Sequence, residues 1–379
     1  MDDSIDQWTD LEHAAREAAV ETGRRLRAGG AATRDPKVAL EACAEAGLLG
    51  LSVPEIYGGS GLSARATAYV LEGFGAGCED AGVVLAAGAH LFACTMPILE
   101  HGTEAQRELW LPALAAGEVI AANAISEPDA GSDLAGIRSR AVADGDAYLV
   151  TGSKSYVTNA PLSGLLLFYA STTPSRGYLG VSAFLVPTDS PGVELGRPFE
   201  KIGMHTALTG PVYLEDCLVG RESMLGDEGK GLEIFNASMA WERTCMFAGF
   251  LGVQRTGLAR AVEYARQRRQ FRRPILRFGA VHDRLLDGTM RLERARVLLY
   301  RACAAMDAGR GAALEVASAK LALSEACIDA AMHSIRTQGG LGVVMESGAP
   351  QQLADSLPAL VFSGTSDLQR EAIARELGL

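Results

Sequence analysis

The pattern of hydrophobic and polar positions divides the 379-residue chain into three parts. Up to residue 117, apolar residues recur at helical spacing, as in LEHAAREAAVETGRRLRAG and PKVALEACAEAGLLGL. From 118 to 226 the period changes to two, with frequent turn residues, and from 227 to 379 long helical patterns return. These patterns predict a mainly α fold with a central β domain.

One apolar stretch, 81–99, is nineteen residues long and has no formal charge except a possible one on His90. That is near the length of a membrane span. The stretch is rich in Ala and Gly, contains Pro97 near its end and is flanked by polar helical sequence. We therefore predict a core helix, with a membrane span as the less favoured alternative.

The stretch 121–160 contains the densest turn signals of the β region. SEPDAGSD supplies free backbone N–H groups and small hydroxyls that can line a flat polar ligand. In AYLVTGSKSYVTNA, β-forming residues predict two short strands around a turn at Gly152–Lys154. Further strands are predicted at 165–170, 182–187, 193–195 and 212–214. Without other motifs, the simplest interpretation is an antiparallel sheet with an Asx-rich hairpin.

A carboxylate lies on an apolar helix face in the C-terminal part. Phe235, Met239, Glu242, Met246 and Gly249 follow the helical spacing and share one stripe. Burial raises the pKa of a carboxyl group, which suits a base that removes a weakly acidic proton. An ion pair with an arginine of another helix is the structural alternative.

Composition and charge exclude several classes of function. The net charge of −11 argues against a nucleic-acid surface, although five arginines cluster over 266–273. The seven cysteines form no C-x-x-C pair, which indicates buried thiols in a reducing compartment, and we expect the cytoplasm. The acidic start, MDDSIDQWTD, does not resemble a signal peptide. Six scattered histidines predict no metal site.

SEPDAGSD followed by TGSKSYVTNA resembles the flavin-holding core of the acyl-CoA dehydrogenase family, and the likeness continues nearly to the C-terminus. It implies FAD, a helical domain over 1–117, an antiparallel β domain over 118–226 and a four-helix bundle over 227–379. Tyr156 replaces the family's usual Trp against the flavin ring, and Thr158 is implied to bond toward flavin N5. The residues that the resemblance assigns to the flavin and its phosphates are Asn123, Ile125, Ser126, Ser132, Tyr156 and Thr158.

The bundle carries further cofactor motifs. YARQRRQF resembles the helix whose Arg and aromatic residue reach the FAD of a neighbouring subunit, and RTQGGLG resembles the glycine pair near the adenosine. A homodimer or homotetramer is therefore expected. Arg336 stands where the family usually has Gln, and Ala354 where it usually has Arg, so this subunit contact departs from the family pattern. The implied cofactor residues are Arg268, Gln270, Phe271, Arg336, Gly340, Thr365 and Asp367.

Two coupled departures concern the catalytic base. Most members of the family draw it from a loop of the form Y-E-G-T-S, whereas this chain has Ser363 at the position of that Glu. A minority, including the isovaleryl and long-chain types, place the Glu before an Arg on the first helix of the bundle. The pair Glu242–Arg243 fits that arrangement. The resemblance implies that Glu242 is the base and that the Ser363 backbone N–H holds the thioester carbonyl.

The function implied is FAD-dependent α,β-dehydrogenation of a short or branched acyl-CoA, with electrons passed to an electron-transfer flavoprotein. The predicted pocket residues are Phe92, Met96, Met239, Trp241 and Arg243. The sequence does not show whether the acyl group is carried by coenzyme A or by a carrier protein of polyketide or peptide assembly. A flavin oxidase or monooxygenase and a flavin-stabilised protein without enzymatic activity are the remaining alternatives.

Overall fold

The computed structural model describes residues 7–30 and 35–379. The first six residues of the acidic start, where we predicted no signal peptide, lie outside the described residues. The fold is mainly helical, with one large sheet in the middle of the chain, as predicted.

In the described residues six α-helices precede the sheet, and local sequence signals set where several of them begin. Thr9 and Glu12 form a capping box at the start of α1, and Asp35 caps α2, which has Pro36 in its first turn. A π-turn over Leu91–Thr95 joins α4 to α5. The helices are α1 (Asp10–Ala28), α2 (Pro36–Glu45), α3 (Ala64–Cys78), α4 (Ala81–His90), α5 (Met96–His101) and α6 (Glu104–Ala115).

The apolar stretch predicted as a core helix lies inside the protein. Within the described ranges, Ala81–His101 is the one helical segment long and apolar enough to cross a membrane. Its most apolar window is 94% buried in the fold, so its hydrophobic side chains already have protein partners. This burial agrees with a core helix.

The sheet is mixed, which corrects the predicted antiparallel arrangement. The strand order is β6-β7-β3-β2-β4-β5-β8, and β1 pairs with β4. β1 runs parallel to β4, and β2 meets β4 in parallel at Arg140 and Ser171. Parallel pairing joins strands distant in sequence, so turn signals between neighbouring strands do not reveal it. The strands are β1 (Ala121–Ala124), β2 (Arg140–Asp144), β3 (Ala147–Thr158), β4 (Leu165–Ser171), β5 (Val181–Pro187), β6 (Val193–Leu195), β7 (Thr209–Gly220) and β8 (Met224–Leu225).

The predicted turn at Gly152–Lys154 is wrong, because β3 continues through it. The register with β7 shifts between Val150 and Gly152 and again between Lys154 and Val157. The turn-like residues therefore occupy irregularities within one strand. Glycine is needed at 152, because a Cβ there would lie 2.1 Å from the Ser139 Oγ.

The C-terminal part consists of long helices that pack on one another and on α3. A π-turn over Glu242–Met246 joins α7 to α8. Where α3 crosses α8, a Cβ on Gly75 would lie 1.9 Å from the Gly249 carbonyl oxygen, so only glycine permits this approach. The elements are α7 (Gly231–Trp241), α8 (Phe247–Gln267), β9 (Arg269–Gln270), β10 (Arg273–Pro274), α9 (Gly279–Asp307), α10 (Ala313–Gln338), α11 (Ala349–Ser356) and α12 (Ser366–Leu377).

Candidate active site

Glu242 is buried at the junction of α7 and α8, with 8% of its surface exposed. It begins the π-turn, a rare helical form that is frequent at functional sites. Burial raises the pKa of Glu242, while a hydrogen bond from the Ser363 hydroxyl and the charges of Arg243 and Lys320 partly oppose the rise. The carboxyl group is thus less acidic than usual and has one side-chain hydrogen-bond donor among the described residues.

The structure brings Ser363 to Glu242, and the predicted roles of the two residues stay predictions. Ser363 donates its hydroxyl to Glu242 Oε1, and Arg243 Nε donates to the Ser363 carbonyl oxygen at 2.8 Å. Ser363 has a φ of +53° and Gly364 a φ of +87°, so the loop turns sharply here. Glu242 and Arg243, neighbours in sequence, therefore hold the same loop residue through its side chain and its backbone.

The loop continues into α12, which Thr365 caps by accepting a hydrogen bond from the Leu368 N–H at 3.2 Å. Asp367, in the first turn, is exposed and pairs with Arg370 at 3.4 Å. A helix N-terminus with free N–H groups is a suitable place for a phosphate or carbonyl. The prediction that Thr365 and Asp367 meet the cofactor stays a prediction.

The two halves of the flavin motif lie against each other. The Ser126 carbonyl oxygen accepts from the Ser155 N–H at 2.8 Å, and the Ile125 carbonyl oxygen accepts from Lys154 Nζ at 3.0 Å. Lys154 also donates to Glu127 Oε1 at 2.7 Å. This buried lysine, which the sequence analysis had placed in a turn, ties the loop after β1 to β3.

Tyr156 and Thr158 occupy the end of β3. The Tyr156 ring is 72% exposed at a φ of +58°, with its centroid 5.6 Å from that of Phe199. Thr158 is half-buried and pairs with Thr209 of β7. Ser132 lies exposed on the loop that follows β1. An exposed aromatic face beside polar backbone suits a flat ring system.

Asn123 of β1 has a buried Oδ1 without a hydrogen-bond partner among the described residues. The side-chain oxygen is therefore free to accept from a ligand, and its predicted contact with the cofactor stays a prediction.

The remaining predicted cofactor residues are surface groups. Arg268, Gln270 and Phe271 belong to the turn that follows α8, where Phe271 is 87% exposed at a φ of +48°. Arg336 and Gly340 are exposed at the end of α10. Their exposure leaves them available to a neighbouring subunit, and their contact with its cofactor stays a prediction.

Apolar residues of the two π-turn regions form a wall near Glu242. Phe92, Met96 and Met239 are each at most 3% exposed. The rings of Phe92 and Trp241 stack with centroids 6.2 Å apart, and Trp241 Nε1 donates to Glu100 Oε1 at 2.8 Å. Phe92 and Trp241, two of the predicted pocket residues, are therefore in contact, and Phe92, Met96 and Met239 are buried.

Three polar groups near Glu242 were missed by the sequence analysis. Lys320 is fully buried, donates to the Ala359 carbonyl oxygen at 3.0 Å and has its pKa lowered to about 8 by burial and by Arg243. Cys94 and Tyr169 are also fully buried. Burial raises the pKa of each, and the charge of Glu242 raises it further. Of these three groups only Lys320 could have been found from the sequence, because it interrupts the apolar pattern ASAKLALS.

A separate cavity of about 720 Å³ is lined by Asp80, His205 and Asp355, among others, and by none of the predicted site residues. Its size alone does not make it the catalytic site, because the buried carboxylate and its donors lie elsewhere. Among the described residues, no group of three or more His, Cys, Asp or Glu side chains is placed to hold a metal ion.

Comparisons with known proteins agree with this arrangement. Three models match the chain: "Acyl-CoA dehydrogenase, N-terminal domain" at residues 8–118, "middle domain" at 122–217 and "C-terminal domain" at 229–378. An L-prolyl-[peptidyl-carrier protein] dehydrogenase from Pseudomonas fluorescens is 46% identical over 89% of each chain. The human mitochondrial short-chain specific acyl-CoA dehydrogenase is 35% identical over 87% of this chain and 80% of its own.

A solved structure described as "PigA with FAD and proline" superposes with a TM-score of 0.95. It is 34% identical and covers 99% of both chains. Because the three family models together match nearly all of the sequence, the chain belongs to the acyl-CoA dehydrogenase family and is an oxidoreductase that acts on CH–CH bonds.

Proposed function

We propose that this enzyme desaturates an acyl group held as a thioester on a carrier protein, and that the acyl group is L-prolyl. The observation that carries the reaction is Glu242, a carboxylate buried beside an apolar wall with a raised pKa. The carrier and the prolyl group are supported by the Pseudomonas fluorescens relative, which is more similar to this chain than the human short-chain enzyme is. The carrier-bound alternative of the sequence analysis is thus favoured over coenzyme A.

FAD is the cofactor of the enzyme, and this chain's residues fit it. The unpartnered Oδ1 of Asn123 offers an acceptor, and the exposed ring of Tyr156 offers an aromatic face. When bound, FAD supplies the acceptor for the hydride that leaves the β-carbon of the substrate. Asn123, Ile125, Ser126, Tyr156 and Thr158 would hold it along β1 and β3.

Glu242 acts as the general base in this proposal. Its carboxylate removes the α-proton of the thioester while the β-hydrogen leaves as hydride, and the electron pair of the α C–H bond becomes the new C=C bond. A base with a raised pKa matches the weak acidity of such a proton better than an ordinary carboxylate does. The backbone N–H of Ser363 would polarise the thioester carbonyl, which acidifies the α-carbon.

The acyl pocket supports a small substrate. Phe92 and Trp241 stack on one side, and Tyr169 and Phe235 pack edge to face with centroids 6.0 Å apart. These four large rings restrict the depth available to an acyl chain.

A short-chain acyl-CoA is the second candidate, supported by the human relative and by the apolar wall of Phe92, Met96 and Met239. We propose an electron-transfer flavoprotein as electron acceptor, a homodimer or homotetramer as the assembled state, and the cytoplasm as the location. The exposed Phe271 supports an assembly, because a large apolar side chain in solvent is commonly covered by a partner.

The test is anaerobic reduction of the purified FAD-loaded enzyme by four thioesters. These are L-prolyl and butyryl groups, each attached to a phosphopantetheinylated peptidyl carrier protein and to coenzyme A. We expect the flavin absorbance to bleach fastest with the prolyl carrier thioester. Faster bleaching by butyryl-CoA would overturn the proposal in favour of the second candidate.

Two controls separate chemistry from binding. Glu242→Gln should bind FAD normally and nearly lose the bleaching by every thioester. Reoxidation of the reduced enzyme by air or by an electron-transfer flavoprotein then identifies the acceptor, because a dehydrogenase transfers electrons to the flavoprotein faster than to oxygen, whereas an oxidase reacts rapidly with oxygen.

A further inference from the structure

Tyr169 lies near the end of β4 and points into the helical core. Leu165, Leu167 and Tyr169 pack in the core cluster that contains the helices, whereas Leu166 and Phe168 face the second cluster on the other side of the sheet. Alternate residues of a strand face opposite sides, so the Tyr169 side chain is directed toward the helices that carry Glu242. None of its surface is exposed.

The Tyr169 hydroxyl has no hydrogen-bond partner among residues 7–30 and 35–379. Two other buried tyrosines do have one: Tyr300 donates to Glu72 at 2.6 Å and Tyr148 to Glu228 at 3.3 Å. Buried hydroxyls in folded proteins are almost always paired, so an exception indicates a site for a ligand or a water molecule. The exception here lies on the side of the sheet that carries the proposed site.

One ring contact and the charge of Glu242 connect this hydroxyl to the proposed site. The Tyr169 ring packs on Phe235, which shares its helix stripe with Glu242. Burial, followed by the charges of Cys94 and Glu242, raises the pKa of Tyr169 well above its ordinary value. The phenol is therefore neutral, and a neutral phenol can both donate and accept a hydrogen bond.

We propose that the Tyr169 hydroxyl recognises the amine of an α-aminoacyl thioester, namely the ring nitrogen of the prolyl group, and so selects it over an acyl group without nitrogen. This inference rests on the proposed function and assigns one residue to its specificity. The neighbouring walls, Phe92, Met96 and Met239, have no comparable donor, and Trp241 already gives its N–H to Glu100. Tyr169 thus supplies polarity that the rest of the wall lacks.

The amine of the substrate is next to the carbon on which Glu242 acts. The nitrogen of a prolyl group is bonded to the same carbon whose proton Glu242 removes. A phenol that donates to the nitrogen lone pair favours the neutral amine over the ammonium. This matters because an ammonium beside Glu242 would stabilise the carboxylate and weaken it as a base. Tyr169 would then act as a positioning residue that also preserves the basicity of Glu242.

The test compares two substrates of nearly the same shape on the same carrier protein. L-Prolyl carrier thioester has the ring nitrogen, and cyclopentanecarbonyl carrier thioester has a carbon in its place. Tyr169→Phe removes the hydroxyl and keeps the ring that packs on Phe235. We expect the ratio of kcat/KM values, prolyl over cyclopentanecarbonyl, to fall by about tenfold to a hundredfold, the usual loss for a hydrogen bond to a buried polar group.

Tyr148→Phe is the matched control, because Tyr148 packs in the second cluster and its hydroxyl bonds Glu228. Its substrate ratio should equal that of the wild type. FAD content and thermal stability are measured for both variants, so that a folding defect is recognised.

The outcomes separate this inference from the proposed function. A wild-type enzyme that oxidises neither the L-prolyl carrier thioester nor L-prolyl-CoA overturns both the proposed function and this inference. A wild type active on the prolyl carrier thioester, with an unchanged substrate ratio in Tyr169→Phe, overturns only the assignment of Tyr169. An equal loss on both substrates also overturns it, because that pattern indicates a structural role or a bound water molecule.

Discussion

Glu242 and Glu127 expose similar fractions of their surfaces, 8% and 7%, yet their surroundings differ. Glu127 accepts from Lys154 Nζ at 2.7 Å, from the Ser139 hydroxyl at 2.5 Å and from the Arg138 N–H at 2.7 Å. Burial raises the pKa of Glu127, but the Lys154 charge and these hydrogen bonds outweigh burial, so the pKa is lowered. Glu127 is thus held as a carboxylate.

Glu242 has fewer partners, and for it burial prevails. The hydroxyl of Ser363 and the charges of Arg243 and Lys320 oppose the effect of burial without cancelling it. The difference teaches that a similar exposed surface does not decide the state of a carboxylate: the ion pair and hydrogen bonds around Glu127 hold it charged, whereas at Glu242 burial outweighs its few partners. Glu127 fixes the loop after β1, and Glu242 remains free to react.

The largest expected effect is that of Glu242→Gln. Loss of a general base slows the chemical step by about 10²-fold to 10⁴-fold, so bleaching of the flavin by the substrate should nearly vanish. The free energy of unfolding should stay the same or rise, because a desolvated carboxylate is removed. Anaerobic stopped-flow absorbance and thermal denaturation measure the two effects.

Glu233→Gln is the control for that variant. Glu233 lies on α7, the helix that leads into Glu242, and pairs with Lys230 in solvent, so its loss should change neither rate nor stability measurably. A Glu242→Gln enzyme that keeps a tenth or more of the wild-type rate would show that another group takes the proton.

Glu127→Gln should lower the stability of the protein, in contrast to Glu242→Gln. It leaves Lys154 buried without its anionic partner, which costs about 3–5 kcal/mol in the free energy of unfolding. The loop at 125–127 should loosen, so the FAD content should fall as well. Urea denaturation and the ratio of flavin to protein absorbance measure both effects.

The double variant Glu127→Gln, Lys154→Met tests the cause. Because it also removes the stranded ammonium, it should recover part of the lost stability. A single variant as stable as the wild type, or a double variant with no recovery, would contradict the comparison of the two carboxylates.

The loss of stability at acidic pH follows from the Glu127–Lys154 pair. The lowered pKa of Glu127 means that its contribution is present above the ordinary pKa of a glutamate and is lost as the pH falls through the lowered value. Glu127→Gln should therefore flatten the loss of stability below pH 4. Urea midpoints at several acidic pH values check this, and an unchanged slope would argue against the pairing.

Periodicity alone predicted much of the fold. The two N-terminal helices, Asp10–Ala28 and Pro36–Glu45, and the core helix within Ala81–His101 are present, and strands begin at Ala121, close to the predicted change at residue 118. The continuous strand β3 was not predicted, because Gly152 and Lys154 have the composition of a turn. Only the buried partner Glu127, which is distant in sequence, makes an inward-facing lysine acceptable there.

The candidate site was also predictable only in part, because some of its contacts join residues that are distant in sequence. The stripe of Phe235, Met239 and Glu242 follows from helical spacing and is correct up to the π-turn. The hydroxyl bond from Ser363 required the loop to fold back on the helix, which no local pattern specifies. Tyr169 gave no signal, because β4 is buried on both faces and LLLFYA is a continuous apolar run.

Arg243→Lys is expected to have an intermediate effect. The charge near Glu242 remains, but the Nε–H that donates to the Ser363 carbonyl oxygen at 2.8 Å is lost. The loop should lose its position while the Glu242 pKa changes little, so kcat should fall by about tenfold, the equivalent of about 1.4 kcal/mol. Steady-state kinetics with the prolyl carrier thioester measure it. A variant with normal kcat would mean that Arg243 does not position Ser363.

The smallest and most specific effect is expected for Ser363→Ala. The hydroxyl that donates to Glu242 stabilises the charged form, so its removal raises the pKa of Glu242 further. Because the base acts when deprotonated, the acidic limb of kcat/KM should move to higher pH, with about a fivefold loss at pH values below the limb and recovery on the alkaline plateau. Ser363→Gly lacks the same hydroxyl but relieves the positive φ, so the two variants should share one shift despite different backbones. A shift in only one of them would assign the effect to the backbone, and a limb that moves to lower pH would contradict the sign of the interaction.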